Sequence, residues 1–246
     1  MKKLTQIIKD ELGIIFGNQF FTSIKTEEIS EKQWRIFFLQ KYGSVGYFLD
    51  FLKNGSTPAL PYSKLLSKVF LQNYNDETGF VNGMLLPEYS HETWRMRTLT
   101  EFGIQNSDLA NVVQLNSTKR HGEMIVHICK EKDFLEYAGM LLFLEIFVVW
   151  EMRALIDVFE RTMPNHFSKG GYDETLYPLN THEYWYSHRT HDVEHFKQIK
   201  NGLLDYLNTS KTPASDTARI LRGINKCAAA KMHLYDQELF AHMMKG

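Results

Sequence analysis

The sequence predicts an all-α protein, a single domain of seven or eight packed helices spanning residues 1–246, and three observations carry that prediction. Apolar residues recur at spacings of three and four through almost the whole chain, the repeat of a helix with one buried face. Sustained period-two alternation is hard to find, so no sheet is expected. All six prolines fall where helices should begin or end, at Pro58, Pro61, Pro87, Pro164, Pro178 and Pro213. A proline inside a helix removes a backbone donor and clashes with the preceding turn.

Taken in order, the helices are expected over Leu4–Ile15, a charged amphipathic segment, and Glu27–Lys53, with a kink near Gly43 and Gly46. Tyr62–Asp76 follows the first pair of prolines, and Pro87–Phe102 opens on a proline suited to a first helical position. A short helix over Glu123–Cys129 leads into Lys132–Arg161, which holds the most apolar stretch of the chain, Ala138 to Trp150. Met163 to Asn180, with two prolines, Gly170 and Gly171, reads as a long loop before His182–Leu207. Asp216 and Thr217 suit the start of the last helix, Ser215–Met243.

The bulk properties exclude several classes of function. Of 246 residues 43% are hydrophobic, enough for a sizeable core. Lys plus Arg (28) balances Asp plus Glu (29), so no basic surface is available for nucleic acid or anionic lipid. Cys129 and Cys227 match no zinc or redox spacing. The N-terminus lacks a signal-peptide core, and Ala138–Trp150 is shorter than the roughly 20 apolar residues a membrane span needs. A cytoplasmic protein is expected. No phosphate-binding glycine loop, nucleophile elbow or Cys-x-x-Cys pair appears.

Three local patterns carry chemistry. His188, Asp192 and His195 form His-x-x-x-Asp-x-x-His, and on a continuous helix, at about 100° per residue, the three would share one face. Imidazole and carboxylate there suit iron, manganese or zinc; the same pattern also fits a solvated polar face. Glu145 sits inside an apolar run, where a carboxylate must be neutralised, paired or bound to a cation. A metal ion or a neighbouring arginine such as Arg153 would meet that need. Glu151, in a more polar neighbourhood, reads as solvated. The third pattern is Asn75-Asp76-Glu77-Thr78-Gly79 followed by Glu88 and His91, a Glu-x-x-His pair suited to one helix face. Either Glu77 or Glu88 could reach a metal, and either could be a surface acid. His121, His127, His166, His233 and His242 are expected at the surface, and His191 just behind the 188/192/195 face.

Together, the Asn-Asp-Glu-x-Gly at 75–79, His91, the lone Glu145 in an apolar helix and His188/Asp192/His195 resemble the haem-oxygenase-like diiron oxidases and oxygenases, relatives of thiaminase II and pyrroloquinoline quinone synthase. The resemblance runs from about Leu71 to Ile199. It implies a seven-helix haem-oxygenase-like bundle with two iron ions (Fe2+) at its centre and O2 as co-substrate. Carried over position by position, it implies that His91 binds one iron, that Glu145 bridges or binds the other, and that His188, Asp192 and His195 complete the set. Two departures are visible: the interval from Glu77 to His91 is long, leaving Glu77 and Glu88 both as candidates, and Met163–Asn180 looks like an insertion.

The resemblance implies an oxidase or oxygenase acting on a small carboxylate-bearing molecule, an amino acid of specialised biosynthesis ahead of a fatty acid undergoing oxidative decarboxylation. Arg153 and Arg95 are the candidate contacts for the carboxylate, and Phe143, Phe147 and Trp150 the expected apolar lining. An external electron donor and a homodimer are compatible with this reading; nucleic-acid and membrane partners are not expected. The competing readings are a metal-free enzyme of the same fold and a helical protein that binds haem or another apolar ligand.

Overall fold

The structure is a computed structural model that describes residues 2–43, 52–53, 59–81, 83–130, 133–164, 167 and 183–246. The expected kink at Gly46, His166, and the expected loop from Met163 to Asn180, apart from Met163, Pro164 and Phe167, lie outside the described residues. In chain order the helices are α1 (Lys2–Phe16), α2 (Gln19–Ile24), α3 (Glu31–Tyr42), α4 (Lys64–Thr78), α5 (His91–Glu101), α6 (Asn106–Asn111), α7 (Asn116–Lys130), α8 (Phe134–Thr162), α9 (Glu183–His188), α10 (Asp192–Thr209), α11 (Pro213–Leu234) and α12 (Gln237–Lys245). The all-α class expected from the sequence is the class observed. The strands described are β1 (Phe80–Val81) and β2 (Met84–Leu85), a hairpin between α4 and α5 too short to change that class.

The bundle is organised around α8. This 29-residue helix is apolar on nearly every side, so it must lie in the middle of the protein rather than along its edge. Asp133 starts it, accepting hydrogen bonds from the backbone N–H groups of Leu135 and Glu136. The same carboxylate takes Arg219 of α11 in a two-pronged bond at 2.7 and 2.8 Å. Glu136 pairs with Arg222 and Lys226, both at 2.7 Å. These bonds fix the register of α11 on α8, and α10 packs along α8 as well.

Two glycines let α8 and α11 approach closely. A Cβ added to Gly139 would run into the backbone carbonyl of Ile220, and one added to Gly223 into that of Glu136. The contact is backbone to backbone, so no side-chain rotation relieves it. At the far end of α3, Trp34, Phe37 and Phe38 interleave with Phe159 and Trp185, with Trp34 and Phe159 rings 4.7 Å apart. That packing carries α3 across the bundle and delivers Lys41, at its C-terminal end, to the interior.

The glycines give the first prediction. Gly223→Ala should destabilise the protein by about 1–3 kcal/mol or more through overpacking, whereas Gly13→Ala, whose Cβ meets nothing within 4 Å, should be neutral or stabilising by about 0.5–1 kcal/mol. Chemical denaturation of the two variants checks both signs.

Candidate metal centre

The centre is built from four segments. On α4, Asn73, Asp76 and Glu77 stand at spacings of three and four, so they share one face of the helix. Ser63 caps that helix by accepting from Leu66 N–H, and Gly79 ends it with a left-handed φ of 76°. The hairpin then turns the chain back: Phe80 pairs with Leu85, Val81 with Met84, and Leu86 N–H bonds Gly79 carbonyl at 2.8 Å. A short 3-10 turn, Pro87–Tyr89, leads to Ser90, whose hydroxyl caps α5 by accepting from Thr93 N–H. His91 is therefore the first residue of its helix, and its Nδ1 lies 2.9 Å from Glu77 Oε1.

The same turn separates Glu88 from His91. Ser90 is extended (φ −74°, ψ 141°), so the two do not lie on one helix face. Glu88 is exposed, and its backbone carbonyl accepts from Trp94 Nε1 at 2.8 Å. Of the two candidate acids, Glu77 is the one the fold brings inward.

A second local feature departs from expectation. The helix expected over His182–Leu207 is broken: α9 ends at His188 and α10 begins at Asp192. The N–H groups of Thr190 and His191 both bond to the Ser187 carbonyl, at 3.0 and 2.8 Å, and the Thr190 hydroxyl adds a third bond to it at 3.1 Å. The tightened turn rotates His188 away from the direction of Asp192 and His195. His188 joins Glu77 and His91, with its ring 4.5 Å from that of His91, while Asp192 and His195 join Glu145.

Two groups of three donors result, Glu77/His91/His188 and Glu145/Asp192/His195, and within each the donor atoms lie within 4.8 Å of one another. Neighbouring side chains orient them. Asn73 Nδ2 donates to Glu145 Oε1 at 2.8 Å, leaving Oε2 facing His195 Nδ1 at 3.4 Å. Asp76 holds His195 Nε2 at 3.2 Å, and the Tyr184 carbonyl accepts from His188 Nδ1 at 2.6 Å. A hydrogen bond on one ring nitrogen fixes the tautomer that leaves the other free to ligate. Asp76 and Asn73 were not singled out as site residues from the sequence, yet their spacing relative to Glu77 is the helical one that would have found them.

The electrostatics describe a site short of positive charge. Burial, then the charge of Glu145, raises the Asp192 carboxyl well above the ordinary range; burial also raises Glu145, against the pull of His195. Burial opposes charge on His195, but bonds to Asp76 and Glu145 outweigh it and hold that imidazole up at about 11. His91 is likewise raised, the charge of Glu77 and the bond to it overcoming burial. Among the described residues no acid is bonded to His188, and burial and His91 push it down to about 3. Protons thus stand in for cations among the clustered acids. Carboxylates and imidazoles, three to a group, form a donor set that suits iron, and the residues present fit two such ions.

A family model described as iron-containing redox enzyme matches residues 35–232, which include all six of these side chains. The chain belongs to that family. No curated protein matches the sequence of this iron-containing redox enzyme. Its fold is similar to that of a domain of unknown function with a heme oxygenase-like fold from Shewanella denitrificans OS217, at a TM-score of 0.73 and 11% identity, covering 99% of this chain and 93% of that one. It is also similar to a CADD-like protein of unknown function from Nostoc punctiforme PCC 73102, at a TM-score of 0.68 and 13% identity, covering 98% and 99%.

In this iron-containing redox enzyme Glu77, His91 and His188 of one donor group and Glu145 and Asp192 of the other border a cavity of about 470 Å³. Its apolar wall is Met140, Leu144 and Val148 on α8, with Ile125, Leu109 and Leu234 opposite. The expected lining is corrected: Phe143 and Phe147 are wholly buried in the core behind that wall, and Trp150 is 43% exposed. Arg153 is exposed and does not border the cavity, whereas Arg95 does, bonded to Glu92 and stacked over Tyr42. Glu151, expected in solvent, is 2% exposed and bonded to Lys41 at 2.5 Å. His121, expected at the surface, is buried, pushed well below the usual range by burial, and donates its Nδ1 proton to the Ala230 carbonyl. His191 is exposed. No described helix is long and apolar enough to cross a membrane.

Two predictions concern this centre. Because His195 is held up at about 11 and His91 is raised from its ordinary value by Glu77, ferrous iron must displace protons from the site. Loading should release protons, and apparent affinity should rise about tenfold or more per unit from roughly pH 6 to 8; calorimetry in buffers of different ionisation enthalpy measures it. Asp76→Ala should weaken iron binding about 10–100-fold without unfolding the chain, read by competition with a chelator.

Proposed function

We propose that the chain is a non-haem diiron oxidase or oxygenase that uses O2 to oxidise a small carboxylate-bearing molecule, with an amino acid of specialised biosynthesis ahead of a fatty acid. The observation that supports it is the pair of three-donor groups, Glu77/His91/His188 and Glu145/Asp192/His195, of which all but His195 line one cavity. Two ferrous ions held there would supply the electrons that reduce O2 and the positions at which it is activated.

The chain's own side chains prepare the reaction. Asp76 and the Tyr184 carbonyl each hold one nitrogen of an imidazole and aim the other. Asn73 keeps one oxygen of Glu145 engaged, so the carboxylate cannot rotate freely. Met140, Leu144 and Val148 keep water from the oxidising centre. On the same cavity, Arg95, Lys41 and Lys231 offer positive charge to a substrate's acid group, and this supports a carboxylate-bearing substrate over a neutral one.

Anaerobic titration with ferrous iron should saturate at two ions per chain. Admission of O2 should then produce a transient visible absorption whose decay is accelerated by the right member of a panel of amino and fatty acids. Glu145→Ala and His188→Ala should each lower iron uptake and abolish the transient. Saturation at one ion or none, or a Soret band on addition of haem with no response to ferrous iron, would overturn the proposal.

A further inference from the structure

The three cations bordering the cavity differ in what holds them. Arg95 is bonded to Glu92. Lys41 is bonded to Glu151 at 2.5 Å and to the Tyr235 hydroxyl at 3.1 Å, within a surround of Phe37, Tyr42, Trp185 and Tyr235 rings. Lys231, on α11, has no acid of its own among the described residues: its ammonium lies over the Phe147 ring at 5.1 Å, and the carboxylate whose charge reaches it, Glu151, is the one already bonded to Lys41. Glu77, Glu145 and Asp192 on the same wall belong to the two donor groups, so of the three cations Lys231 is the one with no carboxylate bonded to it among the described residues.

From that difference in pairing we infer that Lys231 is the substrate's carboxylate anchor, holding the acid group at the α11 side of the cavity while the body of the molecule lies along Met140, Leu144 and Val148 toward the six metal-binding candidates. The inference rests on the proposed oxidase reading for what happens at the other end of the molecule. A half-buried ammonium with no carboxylate bonded to it among the described residues is an unfavourable arrangement that a substrate's carboxylate relieves, and a hydrogen bond between two charged groups is among the stronger ones available. Burial, together with Lys41, already draws the Lys231 pKa below its ordinary value; a bound carboxylate would restore it. The neutral His121 and the Lys41–Glu151 pair flank the position without adding net charge. Anchoring at Lys231 makes it a positioning and specificity-determining residue, since the length between the acid group and the reacting carbon then decides which carbon faces the metals.

The test compares octanoate with 1-octanol, two probes of equal chain length that differ in the acid group, by calorimetry on the ferrous protein without O2 and on the metal-free protein. In both forms octanoate should bind more tightly than octanol by about ten- to hundredfold. Lys231→Met should erase that preference while octanol still binds, which reports an intact cavity, and Lys231→Arg should restore most of it. A preference that survives Lys231→Met overturns the assignment. So does octanoate binding that requires iron and ignores the variant, since the acid group then sits on the metals. If the chain takes up fewer than two irons but Lys231→Met still erases the preference, the anchor stands and the oxidase reading falls.

Discussion

The structure depends on one electrostatic constraint: three carboxylates, Glu77, Glu145 and Asp192, are gathered inside an apolar bundle where none can be charged without a cation close by. An isolated buried carboxylate is strongly disfavoured, and two near each other more so. The chain's own response shows in its titrating groups: burial and the charge of Glu145 raise the Asp192 carboxyl, Glu77 raises His91, and bonds to Asp76 and Glu145 hold His195 up at about 11. Under the proposed diiron reading, two divalent ions would answer the constraint better, because each would bring two charges to atoms already held in place. On that reading the arrangement would cost stability when empty and recover it on binding, the behaviour expected of a site kept for its chemistry.

The rest of the fold serves that gathering. Gly139 and Gly223 let α8 and α11 touch backbone to backbone, and the Asp133–Arg219 and Glu136–Arg222 bonds fix how they slide. Glu145, about three turns along α8, is thereby held in register with its neighbours. The hairpin between α4 and α5 closes the gap between Glu77 and His91, and the turn at Ser187–His191 sends His188 to one donor group and His195 to the other. A continuous helix there would have aimed all three at one place and left the first group a ligand short.

Much of this was legible in the sequence, for physical reasons that differ by residue. The fold class followed from helical periodicity and proline placement, which are local. Glu145 stood out because an acid in an apolar run must have a cation, and His188, Asp192 and His195 because spacing along a helix is a geometric statement. What was missed depends on partners far away in the chain. Glu151 looked solvated because nothing near it reveals that Lys41 arrives from α3, and His121 looked exposed because the Ala230 carbonyl comes from α11. The choice between Glu77 and Glu88 turned on a hairpin whose strands are two residues each, too short to leave a periodic signal. The break after His188 comes from Ser187 and Thr190, ordinary helix residues until their bonds are seen.

The measurement that bears most directly on the central claim is anomalous X-ray diffraction at the iron edge from crystals loaded with ferrous iron under anaerobic conditions. Two peaks are predicted, one among Glu77, His91 and His188 and the other among Glu145, Asp192 and His195. A single peak, or iron bound anywhere else on the chain, would contradict the account.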